Sequence, residues 1–154
     1  MKKRIKILSV IMCFSILFLV TGCGKSEISA EKFKSKAEEN TYLVRDDTDM
    51  YLRGSNLVKA YTAVKVDSTY SIEFYEFNNR TTAEGTFNKN VNLIKKDKNN
   101  GVTLESNLFG YSTYKYYSKD VFKYTARIGN TVLYVNTLGK YRTEIEKFIE
   151  KINY

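Results

Sequence analysis

Tyr111, Tyr114, Tyr116 and Tyr117, interleaved with Lys115 and followed by Lys119, form the densest cluster of chemistry-bearing side chains in the chain. Tyrosine is rigid and joins an apolar ring to a hydroxyl, so several of them beside lysine suit glycans, peptides or protein partners. The same residues also satisfy ordinary strand propensity, because an aromatic ring fits a half-buried pleat. Alternation separates the two roles. Tyr114 and Tyr116 share one strand face, and Tyr111 and Tyr117 share the other. One pair can pack on a core while the other meets solvent. With Lys115, these four tyrosines are the candidate binding surface.

Other constellations are weaker. Asp46, Asp47 and Asp49 invite a calcium reading, but Leu52 stands where an EF-hand loop needs glycine and no glutamate follows in register. The expected structure is a solvated turn in which Asp49 caps a helical turn near Met50 to Arg53. Glu144, Glu146 and Glu150 could suggest acid/base chemistry, yet they sit off the apolar stripe of a C-terminal helix, where Glu144 can pair with Lys147. The chain has no His, and its two cysteines are Cys13 and Cys23. Ser-His-Asp and Cys-His machinery is therefore excluded, as are zinc or copper sites built on imidazole and thiolate. No metal and no cofactor is expected. A binding or accessory role is favoured, and the alternative is an enzyme restricted to carboxylate, Ser, Lys or Tyr chemistry.

The N-terminus speaks to location. Lys2, Lys3, Arg4 and Lys6 precede an uncharged run from Ile7 to Val20, interrupted only by Ser9 and Ser15. Those fourteen residues reach ~21 Å as a helix, short of the ~30 Å hydrocarbon core of a bilayer. A secretory signal with a small-residue processing site fits better than a span. Val20-Thr21-Gly22-Cys23 resembles the lipobox of bacterial lipoproteins. The resemblance implies that Val20, Thr21 and Gly22 are the processing positions and that residues 1–22 are removed. It further implies that Cys23 is acylated on sulfur, which anchors the chain on the outer face of the cell membrane. Residues 23–28 then form a lipidated tether. Gly24-Lys25-Ser26-Glu27 has no apolar pattern, which predicts flexibility.

Without residues 1–22, 132 of the 154 residues remain, a length suited to a single domain over 29–154. Four of the 25 basic residues leave with the signal, so 21 stand against 17 acidic ones. So mild a balance makes no case for nucleic acid. It allows contact with anionic head groups or cell-envelope polymers, so the expected partners are the membrane, through the lipid, and a protein or envelope polymer. With no cysteine beyond the lipid site, the domain must be stabilised by burial alone.

The elements follow from local patterns. Ser29 caps a first helix in which Phe33 and Ala37 form the apolar stripe and Ile28 can staple onto Phe33. A strand at Tyr42 to Arg45 precedes a hairpin of Leu57–Val66 and Tyr70–Phe77 turning at Asp67-Ser68, in which Ala63 opposes Ile72 and Tyr61 opposes Phe74. Thr81 to Glu84 reads as a capping box for a helix over 82–96, packed through Ala83, Phe87, Val91 and Ile94. Residues 103–117 supply one or two strands. Val121–Ile128 and Thr131–Asn136 form a hairpin at Gly129-Asn130, with Ala126 facing Leu133 and Tyr124 facing Val135. A last helix carries Tyr141, Ile145, Phe148, Ile149 and Ile152 on one side. The sum is an α+β domain: an antiparallel sheet of about five to six strands with helices packed on at least one face. Ile72-Glu73-Phe74-Tyr75, the helix from Thr81 and Gly129-Asn130-Thr131 are similar to elements of small uncharacterised lipoproteins of low-GC Gram-positive bacteria. That similarity implies kinship and imports no activity.

Overall fold

A computed structural model describes residues 25–51, 56–66, 70–97, 100–108 and 110–154. Residues Val20 to Cys23, the Asp67-Ser68 turn and Arg53 lie outside the described residues. No helix among the described residues is long and apolar enough to cross a membrane.

Among the described residues seven antiparallel strands make one sheet: β1 (Tyr42–Asp46), β2 (Leu57–Lys65), β3 (Ser71–Phe77), β4 (Val102–Leu108), β5 (Tyr111–Tyr117), β6 (Val121–Ile128) and β7 (Thr131–Leu138), ordered β1-β2-β3-β7-β6-β5-β4. The α+β class stands, and the expected five to six strands are corrected to seven. The extra strand arises because the segment before Tyr117 folds back on itself beside Gly110, whose φ of 83° suits a residue without Cβ. Both hairpin registers are as the alternation implied: Ala63 faces Ile72, Tyr61 faces Phe74, Ala126 faces Leu133 and Tyr124 faces Val135.

Helices cover both faces. On one face lie α1 (Ala30–Glu39) and α4 (Arg142–Lys151), whose Phe33, Ala37, Ile145 and Phe148 pack on Phe74, Phe122, Leu133 and Val135. On the other lies α3 (Arg80–Lys96), which carries the chain from β3 to the far edge strand β4 and packs Ala83, Phe87, Val91 and Ile94 on Tyr114, Tyr116 and Val132. Coverage on both sides explains β6. Its Lys123, Thr125 and Arg127 are buried as fully as Phe122 and Tyr124, and each is given a partner. Lys123 Nζ reaches Asp97 at 2.8 Å, Thr125 donates to the Leu133 carbonyl at 3.0 Å, and Arg127 donates to Gly129 O and Ser112 Oγ at 3.3 Å.

Three local expectations are corrected. Asn79, not the Thr81–Glu84 box, caps α3: its Oδ1 accepts from Thr82 N at 2.8 Å, so the helix starts at Arg80. The amide accepts two bonds here, because Thr82 also turns its hydroxyl onto it at 3.0 Å. In the acidic turn the cap on the short helix α2 (Thr48–Tyr51) is Asp46, which accepts from Thr48 N at 3.0 Å, while Asp49 is exposed. Asp47 is not solvated at all. It is buried against Arg45 at 2.5 Å and Thr62 at 2.7 Å. Finally, the tether is docked from Ser26 onward. Ser26 N donates to Asn153 O at 3.3 Å, Glu27 accepts from Asn130 N at 2.7 Å, and Ile28 is in the core. An apolar residue with three polar neighbours shows no periodicity in sequence, yet one buried side chain and three hydrogen bonds, the third from Asn153 Nδ2 to Ser26 Oγ at 3.1 Å, suffice to hold it.

Candidate functional site

Strand alternation places Glu73, Tyr75 and Phe77 of β3 on the α3 side of the sheet. Across the ladder Glu73 pairs with Tyr134 of β7, Tyr75 with Ala60 and Phe77 with Leu57. From above, α3 presents Thr86, Lys89, Asn90 and Leu93, spaced i, i+3, i+4 and i+7 so that they share one face. The helix lies chiefly over β6 and β7, and a cleft of about 370 Å³ opens along its β3 flank. The short helix α2 brings Tyr51 to the rim, where its ring meets Tyr75 edge-on at a centroid distance of 5.6 Å and 88°. Tyr75 in turn stacks on Phe77 at 6.4 Å. The volume falls within the range of small-ligand pockets, about 300–1,000 Å³, and so does the lining, mostly aromatic and aliphatic with a few polar groups.

The electrostatics are set by Glu73. The Tyr75 hydroxyl donates to the Glu73 carboxylate. Burial pushes the Tyr75 hydroxyl well above its ordinary value, and the charge of Glu73 pushes it further. Tyr134 is raised as well, by burial first and then by Glu73 and Asp97. Both phenols therefore stay protonated at neutral pH and keep a hydrogen to donate. Glu73 itself is half-buried and makes no ion pair with any described cation. Lys89 borders the same cleft from the helix and is not within ion-pairing distance of it.

A second cavity of about 450 Å³ lies on the opposite face, bordered by Lys25, Tyr111, Lys115, Tyr124, Arg142 and Glu146. Two of its cations share one carboxylate. Lys115 Nζ lies 2.6 Å and Arg142 Nε 3.2 Å from Glu146 Oε1. Burial alone would raise the Glu146 carboxyl, but Lys115 and then Arg142 hold it below its usual value. The Tyr111 and Tyr124 hydroxyls share a hydrogen bond at 3.1 Å.

The candidate tyrosine surface is divided by the sheet. Tyr114 and Tyr116 are 0% and 2% exposed beneath α3, so they are core residues and leave the proposed surface. Tyr111, Lys115 and Tyr117 are half-buried on the other face, where Arg142 sits over the Tyr117 ring at 3.5 Å from its centroid. Lys119 is exposed. Val20, Thr21, Gly22 and Cys23 lie outside the described residues. Among the described residues no group of three His, Cys, Asp or Glu side chains is placed to hold a metal. The cleft residues were the ones sequence reasoning missed. Glu73-Phe74-Tyr75-Glu76-Phe77 carried the signal, a carboxylate in alternation with two aromatic rings on the face opposite Phe74.

Compared with family models, with curated proteins and with solved structures, the chain has no significant match. Its own geometry is what bears on function.

Proposed function

We propose that this chain is a lipid-anchored extracytoplasmic binding or accessory module, held to the outer face of the cell membrane through Cys23. We place its ligand seat in the cleft between α3 and β3. The observation that carries the reading is the cleft itself: about 370 Å³ of mostly apolar space beside a half-buried carboxylate that has no ion-pair partner among the described residues. The anchor is supported by Val20-Thr21-Gly22-Cys23 after a short apolar run. It is also consistent with the docked segment Ser26–Ile28, since only Gly24 separates Cys23 from Lys25 and their Cα atoms can be at most ~7 Å apart. A domain held so closely would sit at the head-group layer.

Two measurements test the two halves separately. Cys23→Ala should abolish incorporation of labelled palmitate and release the protein from the membrane; retention with full labelling overturns the anchor. Native mass spectrometry of the full chain, purified from its own membranes in a mild detergent, should show a bound small molecule. Thr86→Trp, which places an indole in the cleft, should remove it. An adduct unaffected by that substitution overturns the cleft as the seat.

A further inference from the structure

We infer that the α3–β3 cleft is a seat for an organic ammonium ion carried on a short apolar stem. The inference rests on the cleft being the ligand seat, and it adds the ligand's chemistry. Tyr51, Tyr75 and Tyr134 border the cleft together with the carboxylate of Glu73. Tyrosine faces attract a cation through the ring quadrupole, most strongly where water is excluded. Glu73 adds a full negative charge. It stands directly across the ladder from Tyr134 and two residues from Tyr75, whose hydroxyl it accepts, so the charge lies beside two of the three rings.

The carboxylate is under-satisfied for its surroundings. It accepts the Tyr75 hydroxyl, and it is half-buried. An ionised carboxyl has about four acceptor positions, and desolvating it is unfavourable unless a donor or cation approaches. At two more buried or half-buried carboxylates the protein supplies a cation: Asp47 has Arg45, and Glu146 has Lys115 and Arg142. Glu73 has none among the described residues, and the space beside it is open. Leu57, Phe77 and Leu93 border the rest of the cleft and suit an alkyl stem. Lys89, on the helix side, is exposed and repels a cation only through solvent.

The test uses the full chain in maltoside micelles, labelled on its tyrosine rings and followed by NMR. Choline is the probe, and 3,3-dimethylbutanol is its uncharged counterpart of the same shape. Choline should shift the Tyr51, Tyr75 and Tyr134 signals saturably, with the neutral analogue at least about tenfold weaker. Glu73→Gln should weaken choline about tenfold and leave the neutral analogue unchanged, while Lys89→Ala should leave choline unchanged or tighten it. Equal binding of both probes, or indifference of choline to Glu73→Gln, overturns the ammonium specificity while leaving the cleft as a binding seat. Silence of all three tyrosines with both probes also overturns it, and the Thr86→Trp mass measurement then judges the seat on its own. If Glu73→Gln lowers the melting temperature, Tyr134→Leu takes its place: it keeps the carboxylate, removes one ring and should weaken choline selectively.

Discussion

The Glu27 carboxylate accepts a hydrogen bond from the backbone N–H of Asn130 at 2.7 Å, across 103 positions of sequence. It does so beside Gly129, whose φ is 54° and where a Cβ would fall 2.0 Å from Glu27 Oε2. The turn glycine and the distant acid therefore occupy one another's space. Nearby, Ser26 bonds to Asn153, and Tyr154 shares a hydroxyl contact with Thr131 at 2.9 Å. The start of the described chain, its last residues and the β6–β7 turn close on each other.

Glu27→Ala should destabilise the domain by about 1 kcal/mol through loss of a charged acceptor. Gly129→Ala should cost about 1–2 kcal/mol, because alanine is strained at positive φ and its methyl displaces the Glu27 carboxylate. The two effects share one contact, so the double variant should cost less than their sum. Urea unfolding of the four proteins measures the coupling. Strict additivity would show that Glu27 does not bond the turn.

Ile28 is 2% exposed in the main core. Ile28→Ala should cost about 2–4 kcal/mol. A chain beginning at residue 25 should unfold with the midpoint of one carrying the complete tether, and a chain beginning at residue 29 should unfold markedly earlier. Identical midpoints for the two truncations would place the domain boundary at Ser29 after all.

The tyrosine segment should divide by face. Tyr114→Ser, removing a ring that is 0% exposed, should cost about 3–5 kcal/mol. Tyr117→Ser should cost about 1 kcal/mol or less, since the half-buried ring gives up a contact with Arg142 at 3.5 Å. Thermal unfolding distinguishes them, and similar losses at both positions would contradict the division.

Acid should unfold the domain partly through the β1–α2 turn. Asp46 is lowered to about 2 by hydrogen bonds from Lys59 and Thr48, and Asp47 is lowered by Arg45 against the opposing effect of burial. Both groups bind a proton more weakly folded than unfolded, where a carboxyl titrates near ~3.9. Their stabilising contribution is present above that value and is lost as pH falls from ~4 towards ~2. The urea midpoint should fall over this window, and the fall should be shallower in Asp46→Asn. An unchanged slope in that variant would remove Asp46 from the acid transition.

Much of the fold was legible because its signals are local. Alternation along β6 and β7 with Gly129-Asn130 between them determined a hairpin and its register, and Ala83, Phe87, Val91 and Ile94 at helical spacing determined which side of α3 is buried. What only the tertiary structure decided is which faces of the sheet meet a helix. Period-two alternation names two faces but does not say that both are covered. Lys123, Thr125 and Arg127 look solvated in sequence and are buried because α3 crosses above them. The same crossing buries Tyr114 and Tyr116 and leaves Tyr111 and Tyr117 on the far side. It also makes Glu73, Tyr75 and Tyr134, from strands about sixty residues apart in the chain, into one wall of a cleft. A ligand seat assembled across a ladder depends on strand order, and strand order is a property of the packed chain rather than of any segment in it.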